Sequence, residues 1–395
     1  MAPNGWKQQN LGSLFEFKNG LNTDKEQYGQ GYKFVNVMDI FGNDILTESR
    51  IIGRVQVTEK QLKEYQLKFG DVLFNRTSET FDEIAMAAVY MDEAIATFGG
   101  FVIRGRPRTD EILPLFSVFA FQCDSYRNQA IKLGQGAVRA NIGQKDLSKV
   151  KVLIPPIIEQ QKIAKILSAW DSAIATTEKL LVNSQQQKKA LMQQLLTGKR
   201  RLLDGKDWKN YKFGSLFKER VEVGRDDLPL LSITADDGVV YQEDTGRKNT
   251  SNDDKSKYRR ICPNDIGYNT MRMWQGRSSL SDKEGIVSPA YTIVTPSDKV
   301  VPAFAAYLFK LPSLIHIFYR HSQGLVSDTW NLKFNHFKKI SWKFPCTEEQ
   351  QKIAQVLSTA DQEISALQDK LSALKNEKKA LMQQLLTGKL RIKVN

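Results

Sequence analysis

The sequence predicts two α/β domains joined by two long helices that pair antiparallel within the one chain. Three observations predict it. The string KKALMQQLLTGK occurs at Lys188–Lys199 and again at Lys378–Lys389. A second string, EQQKIA, occurs at Glu159–Ala164 and at Glu349–Ala354, with the same offset of 190 residues. A heptad pattern runs from one string to the other in each copy, whereas the chain outside these segments mixes short strand-like runs with turn residues. A repeat period this long indicates duplicated domains rather than a solenoid.

Each half opens in a similar way. Trp6-Lys7 followed by Gly12-Ser13-Leu14-Phe15 matches Trp208-Lys209 followed by Gly214-Ser215-Leu216-Phe217. A weaker echo precedes each helix, where Gln135-Gly136 and Ile154-Pro155 correspond to Gln323-Gly324 and Phe344-Pro345. The expected organisation is a domain over residues 1–155, a helix over 156–200, a second domain over 201–345 and a second helix over 346–395.

In the domains, Lys33–Val37, Asp71–Phe74, Phe101–Ile103 and Tyr291–Val294 have the β-branched and aromatic content of strands. Their alternation is imperfect, so the expectation is an α/β domain with an irregular sheet.

Each helix is expected to span about 40 residues, or about 60 Å. Pro155-Pro156 and Pro345 stand just before them, Thr347-Glu348-Glu349-Gln350 has the capping-box pattern, and Gly198 and Gly388 sit where a stop is expected. In the first helix the apolar seam is Ile163, Leu167, Trp170, Ile174, Leu181, Leu191 and Leu195, interrupted by Thr177, Ser184 and Lys188. In the second it is Ile353, Leu357, Ala360, Ile364, Leu367, Leu371, Leu374, Leu381 and Leu385, broken by Lys378. Steps alternating between four and three indicate a coiled coil. The other copy in the same chain is the nearest partner, and two parallel zippers between separate chains are the competing arrangement. An antiparallel pair would relate the halves by a pseudo-two-fold axis. It would also bring the two termini together near one domain, giving the chain a cyclic look.

The formal net charge is +13, from 57 lysines and arginines against 44 acidic residues, which favours a polyanionic partner such as nucleic acid. Three scattered cysteines, Cys123, Cys262 and Cys346, fit a reducing compartment and no disulfide framework. His316, His321 and His336 stand at no metal-ligand spacing with a cysteine. The polar start MAPNGWKQQN is no signal sequence, and no apolar run reaches the roughly 18 residues that suggest a membrane span. A cytoplasmic protein with no membrane partner is expected.

Polar, basic and aromatic residues cluster in glycine-bearing loops. These are Asn75–Glu79, Arg104–Arg108 and Gly134–Asn141 in the first half, and Gly246–Arg260, Asn269–Ser279 and Ser322–Asn331 in the second. Arginine, asparagine and glutamine reach base edges in pairs of hydrogen bonds, and hydroxyls serve phosphates. The candidate DNA contacts are Arg76, Thr77, Ser78, Arg104, Arg106, Gln135, Arg139 and Asn141, then Arg272, Trp274, Gln275, Arg277, Gln323 and Trp330. Trp274 has core packing as its plain alternative, and the charged stretch 246–260 reads as a solvated loop.

Signs of catalysis are missing. The sequence has no P-loop, no GxGxxG, no Asn/Asp-Pro-Pro-aromatic tetrapeptide and no Ser/His/Asp or Cys/His constellation. Neither a catalytic residue nor a metal ligand is expected. A nuclease or methyltransferase with fused recognition domains would turn over alone with S-adenosylmethionine or Mg²⁺. A coiled-coil scaffold that binds only protein would have no use for the positive charge.

The alternation of two dissimilar domains with two near-identical helices resembles the DNA specificity subunit of type I restriction–modification systems. The motifs that carry the resemblance are IPPIIEQQKIAKIL, FPCTEEQQKIAQVL, the two ALMQQLLTGK ends, GDVLFNRTSE, YNTMRMWQG and GIVSPAY. It implies target recognition domains that each read one half of a bipartite, asymmetric duplex through the major groove, with the helices setting the gap. It also implies two methyltransferase subunits docked on the helical region and restriction subunits beyond them. S-adenosylmethionine would then lie on the methyltransferase, ATP and Mg²⁺ on the restriction subunit, and no cofactor on this chain.

Overall fold

The computed structural model describes residues 2–136, 139–204, 207–234, 238–246, 253–325 and 329–392. It divides into two compact units, one of residues 1–178 with 370–395 and one of residues 179–369. The units therefore cut across the four segments read from the sequence. Each takes one α/β domain and one half of each long helix, Ile157–Leu195 and Thr347–Leu386.

In the first unit a five-stranded sheet runs in the order Phe15–Asn19, Val102–Pro107, Val72–Asn75, Ala87–Tyr90, Ile45–Leu46. All its pairs are antiparallel except the last. A three-stranded sheet places Tyr28–Val35 between Arg54–Val55 and Ala96–Phe98. Lys7–Asn10 pairs antiparallel with Lys151–Ile154, so the opening strand is tied to the strand that enters the first long helix.

The second unit repeats this plan. Phe217–Arg220, Tyr291–Pro296, Ile266–Asn269 and Ser278–Leu280 form a four-stranded sheet. Lys209–Lys212 pairs with Ser341–Phe344 ahead of the second long helix. Two helices beginning at prolines, Pro302–Leu308 and Pro312–His321, cover the sheet and correspond to Pro114–Ala120 and Asp124–Leu133.

The expected strand Lys33–Val37 ends at Val35, and a short helix, Val37–Phe41, follows. Asp39 stops the strand, because its carboxylate accepts from the Asn36 N–H at 2.7 Å and fixes a helix start.

Each domain core is continuous with the helix ends. In the first unit Phe15, Phe74, Phe116, Phe119 and Tyr126 share one apolar cluster with Ile163, Leu167 and Leu385. In the second, Phe213, Phe217, Phe309 and Phe337 share theirs with Leu195, Ile353 and Leu357. Toward the middle of the helices the seam residues Trp170, Ile174, Leu181 and Leu191 are only half-buried, as are Ile364, Leu367, Leu371, Leu374 and Leu381. Leu191 and Leu381 still pack against the domain cores, whereas two helices alone do not fully enclose the large apolar side chains between them.

In both units the helix halves run antiparallel. Asp171 pairs with Lys378, and Glu178, further along, pairs with Lys375 at 2.7 Å, closer to the start of its helix. Lys188 pairs with Asp361 in the second unit, where Asp361 also accepts from the Tyr307 hydroxyl at 2.7 Å. The two seam lysines are thus matched by aspartates at equivalent places. Gly198 and Gly388, at φ 72° and 69°, take the left-handed conformation that ends each helix.

The capping box expected at Thr347–Gln350 does not form. Gln350 accepts instead from the Val301 N–H at 2.8 Å and donates to the carbonyls of Lys299 and Pro345 at 2.9 and 3.0 Å. Gln160 does the same in the first unit, accepting from Leu113 N–H and donating to Glu111 and Pro155 carbonyls. The preceding glutamate serves as a clasp. Glu349 is fully buried and accepts from Arg201 Nε and Nη2 at 2.9 and 2.8 Å, from Leu202 N–H at 3.1 Å and from Trp208 Nε1 at 3.2 Å. Burial pushes the Glu349 carboxyl up, but the Arg201 hydrogen bonds and charge outweigh it and hold it below the usual glutamate range.

Glu159 is held in the same way, by Trp6 Nε1 at 3.1 Å and Arg391 Nη2 at 2.6 Å, while Arg391 also donates to the Asn4 carbonyl at 2.9 Å. In the second unit the clasp arginine and tryptophan are neighbours in the chain. In the first they come from its two ends, so that unit is closed without a covalent link, as the cyclic look of the sequence implies.

Candidate nucleic-acid interface

In each unit a loop leaving a central strand meets a Gln-Gly hairpin. In the first, Ile142 N–H donates to the Arg76 carbonyl at 3.0 Å, and Thr77–Ser78 pairs antiparallel with Ala140–Asn141. Gln135 and Asn141 exchange both backbone hydrogen bonds, at 2.8 and 2.7 Å. Gly136 is needed between them, because a Cβ there would lie 2.0 Å from the Arg139 carbonyl oxygen. The second unit is built alike. Leu332 N–H donates to the Thr270 carbonyl at 2.8 Å, and Gln323 and Asn331 exchange bonds at 2.9 and 2.8 Å. The repeated Gln-Gly…Asn letters therefore frame a hairpin through their backbone atoms, with the Gln323 side chain left exposed.

Several sequence candidates belong to this frame. The Thr77 hydroxyl donates to Asn141 Oδ1 at 2.7 Å, and Asn141 Nδ2 donates to the Arg139 carbonyl at 3.1 Å. Gln135 Nε2 lies 3.4 Å from Asp146. Ser78 is buried and donates to Glu83 at 2.7 Å, which corrects its reading as a phosphate contact.

Arg104 and Arg106 are corrected as well. Arg104 is 3% exposed, within the sheet, with its guanidinium 5.7 Å from the Phe98 ring centre. Burial, and then the charge of Arg106, lower its pKa from the usual arginine value. Arg106 is tied to Asp71 by two hydrogen bonds of 2.8 and 2.7 Å and donates to the Gln66 carbonyl at 2.9 Å. Alternation along Val102–Pro107 sends both side chains to one face of the sheet.

In the second unit an aromatic group stiffens the loop. Trp274 meets Trp330 edge to face at 5.3 Å, Trp330 meets Tyr319 at 4.9 Å, and Trp274 Nε1 donates to the Met271 carbonyl at 3.0 Å. Both tryptophans are half-buried, so each packs and still presents an edge. Residues 247–252 of the charged stretch lie outside the described residues, and Arg259 and Arg260, at its end, pair with Glu219 and with Glu222 and Glu284.

Away from the hairpins, many arginines are engaged by carboxylates, including Arg201, Arg220, Arg225, Arg259, Arg260 and Arg391. On the hairpin side, Arg139, Arg272, Gln275 and Arg277 are exposed, with no side-chain hydrogen bond or ion pair among the described residues. Arg76 is half-buried and reaches only the Gly100 carbonyl, at 3.5 Å. Unpaired guanidinium groups held on stiff loops are available to phosphates and to guanine edges. Sequence reasoning missed one further feature, the apolar wall of Val37, Met38, Phe41 and Phe101 beside Thr77 and Arg139. The Asn36-to-Asp39 spacing, a helix-start signal, was the clue to it.

Two separately built loop-and-hairpin sites that expose arginines, on one duplicated helical scaffold, define a DNA-reading protein with two recognition domains. The chain belongs to the family of type I restriction–modification DNA specificity domains, whose model matches residues 3–183 and 206–376. It is 23% identical over 418 aligned positions to the MjaX specificity subunit attributed to a type I restriction enzyme of Methanocaldococcus jannaschii, covering 99% of this chain and 95% of that one. The S subunit of a type I restriction–modification system from M. genitalium has the same fold, with a TM-score of 0.58 at 15% identity and coverage of 98% and 99% of the two chains. So does the HsdS subunit of Thermoanaerobacter tengcongensis, with a TM-score of 0.54 at 17% identity and 98% of both chains covered. Among the described residues, no helix is long and apolar enough to cross a membrane.

Proposed function

We propose that this chain is the sequence reader of a type I restriction–modification complex, acting in the cytoplasm and carrying out no chemistry itself. The first domain reads one half of an asymmetric bipartite duplex and the second reads the other, while the long helices set the gap. Two methyltransferase subunits bind the duplicated helical scaffold and supply S-adenosylmethionine. Restriction subunits using ATP and Mg²⁺ join that core. The observation that carries the reading is that exposed arginines without a carboxylate partner among the described residues stand where loop and hairpin meet, Arg139 in the first unit and Arg272 and Arg277 in the second, whereas Arg106, Arg391, Arg220 and Arg260 are each paired with a carboxylate.

The duplication follows from it. One partner has to dock twice, so its scaffold is written twice, while two different half-sites need two different readers. Divergence is tolerated because Gln160 and Gln350 hold their domains through backbone atoms, which any sequence provides.

The test is to compare the DNA selected by wild-type, Arg139→Ala and Arg277→Ala chains. Each substitution should relax one half-site and leave the other, at a cost of about 1–3 kcal/mol at the affected position. Equal loss at both half-sites, or at neither, contradicts the assignment.

A further inference from the structure

The first unit has an apolar hollow beside its hairpin. It holds about 450 Å³ and has an apolar wall of Val37, Met38 and Phe41 of the short helix and Phe101, with Thr77, Ser78, Glu79, Glu83 and Arg139 completing the lining. Met38 is 72% exposed and Phe101 63% exposed. Large side chains left in water together mark a contact surface. Phe101 is placed by the reading loop itself, since its carbonyl accepts from the Arg76 N–H at 2.8 Å.

We infer that the apolar wall of this hollow receives the 5-methyl group of a thymine, with Met38 and Phe101 reading that base in the first half-site. The inference rests on the DNA-reading function proposed above. A phosphate does not suit the apolar wall, which offers it no hydrogen bond, and the carboxylates of Glu79 and Glu83 on the lining repel it. A base edge therefore covers this wall. Among the four base edges in the major groove, only thymine presents an apolar group. The reading is specific to this unit, since its partner loop in the second unit carries the Trp274, Trp330 and Tyr319 cluster instead.

The experiment uses the full-length chain, alone or in its methyltransferase complex, and two random duplex pools, one containing thymine and one with uracil in its place. Uracil pairs identically and lacks only the methyl group. With thymine, wild-type protein should select a first half-site containing a T·A pair that is preferred about three- to tenfold more than in the uracil pool. The second half-site should be unchanged. Met38→Ala, an exposed change that leaves the core intact, should lose the same preference in the thymine pool. Identical first half-sites in both pools, or an unchanged motif with Met38→Ala, overturn the inference and leave the general reading standing. Met38→Ala that instead weakens assembly with the methyltransferase subunit assigns the hollow to a protein partner and also overturns it. No motif from either pool removes the DNA-reading function, and this inference with it.

Discussion

Replacing Arg201 with alanine should loosen the second unit more than Arg391→Ala loosens the first. Arg201 donates to Glu349 at 2.9 and 2.8 Å, and Glu349 is fully buried. Alanine would leave that carboxylate with Trp208 Nε1 and Leu202 N–H, two neutral donors for a buried charge. Breaking a buried pair from one side costs about 3–5 kcal/mol, and the 28% exposure of Arg201 argues for the lower end, about 3 kcal/mol. Arg391 is 40% exposed, so solvent reaches its side of the pair, but Glu159 is itself only 6% exposed, and the loss costs about 2 kcal/mol. Two compact units make a single unfolding transition a poor readout. Hydrogen exchange followed by mass spectrometry reads each unit separately. The paired strands Lys209–Lys212 and Ser341–Phe344 should exchange roughly 100-fold faster in Arg201→Ala, while Lys7–Asn10 stays protected. Arg201→Lys should recover only part of the protection, since an ammonium cannot make the two-pronged contact. Equal loss in both units, or greater loss from Arg391→Ala, would refute the clasp argument.

Further outcomes follow from the same contacts. Because Glu349 titrates below its unfolded value, its contribution is present above that value and lost as pH falls through the lower folded one, so the second unit should weaken below about pH 4.3 and Glu349→Gln should flatten that dependence. Inserting one heptad into each long helix at matched places lengthens it by about 10 Å and should lengthen the preferred gap between half-sites by about three base pairs, whereas a two-residue insertion, which turns one seam away from the other, should disrupt helix pairing, read by methylation of targets with different gaps. Replacing Lys188 and Asp361 together with leucine should be neutral or stabilising by about 1 kcal/mol in thermal unfolding, while Lys188→Ala alone should destabilise by a similar amount. Raising salt should lower DNA affinity steeply, and Arg272→Ala should reduce the slope of log K against log[salt] by about one if that residue meets a phosphate.

The helices were legible because a heptad is a local pattern and the duplication printed it twice. The clasp was half legible. Its glutamate, tryptophan and arginine recur in both halves, but Glu159 and Trp6 meet across 153 residues of chain, and spacing along a sequence carries no sign of that. The same limit explains Arg104 and Arg106. Their charge suggested DNA, while the groups that engage them, Phe98 above one and Asp71 beside the other, are set by the sheet. Thr347–Gln350 failed for a different reason, because a glutamate and a glutamine that fit a local cap were taken by stronger long-range partners. Met38 was invisible because an apolar residue reads as core until the fold leaves it in solvent.

Selection from a random duplex pool by the full-length chain with its methyltransferase subunit, at moderate salt, tests the central claim most directly. Two short, different motifs at one fixed gap are predicted, and exchanging residues 1–155 for another first domain should replace only one of them. Tight binding with no bipartite motif would contradict the account and leave a basic scaffold whose hairpins read nothing.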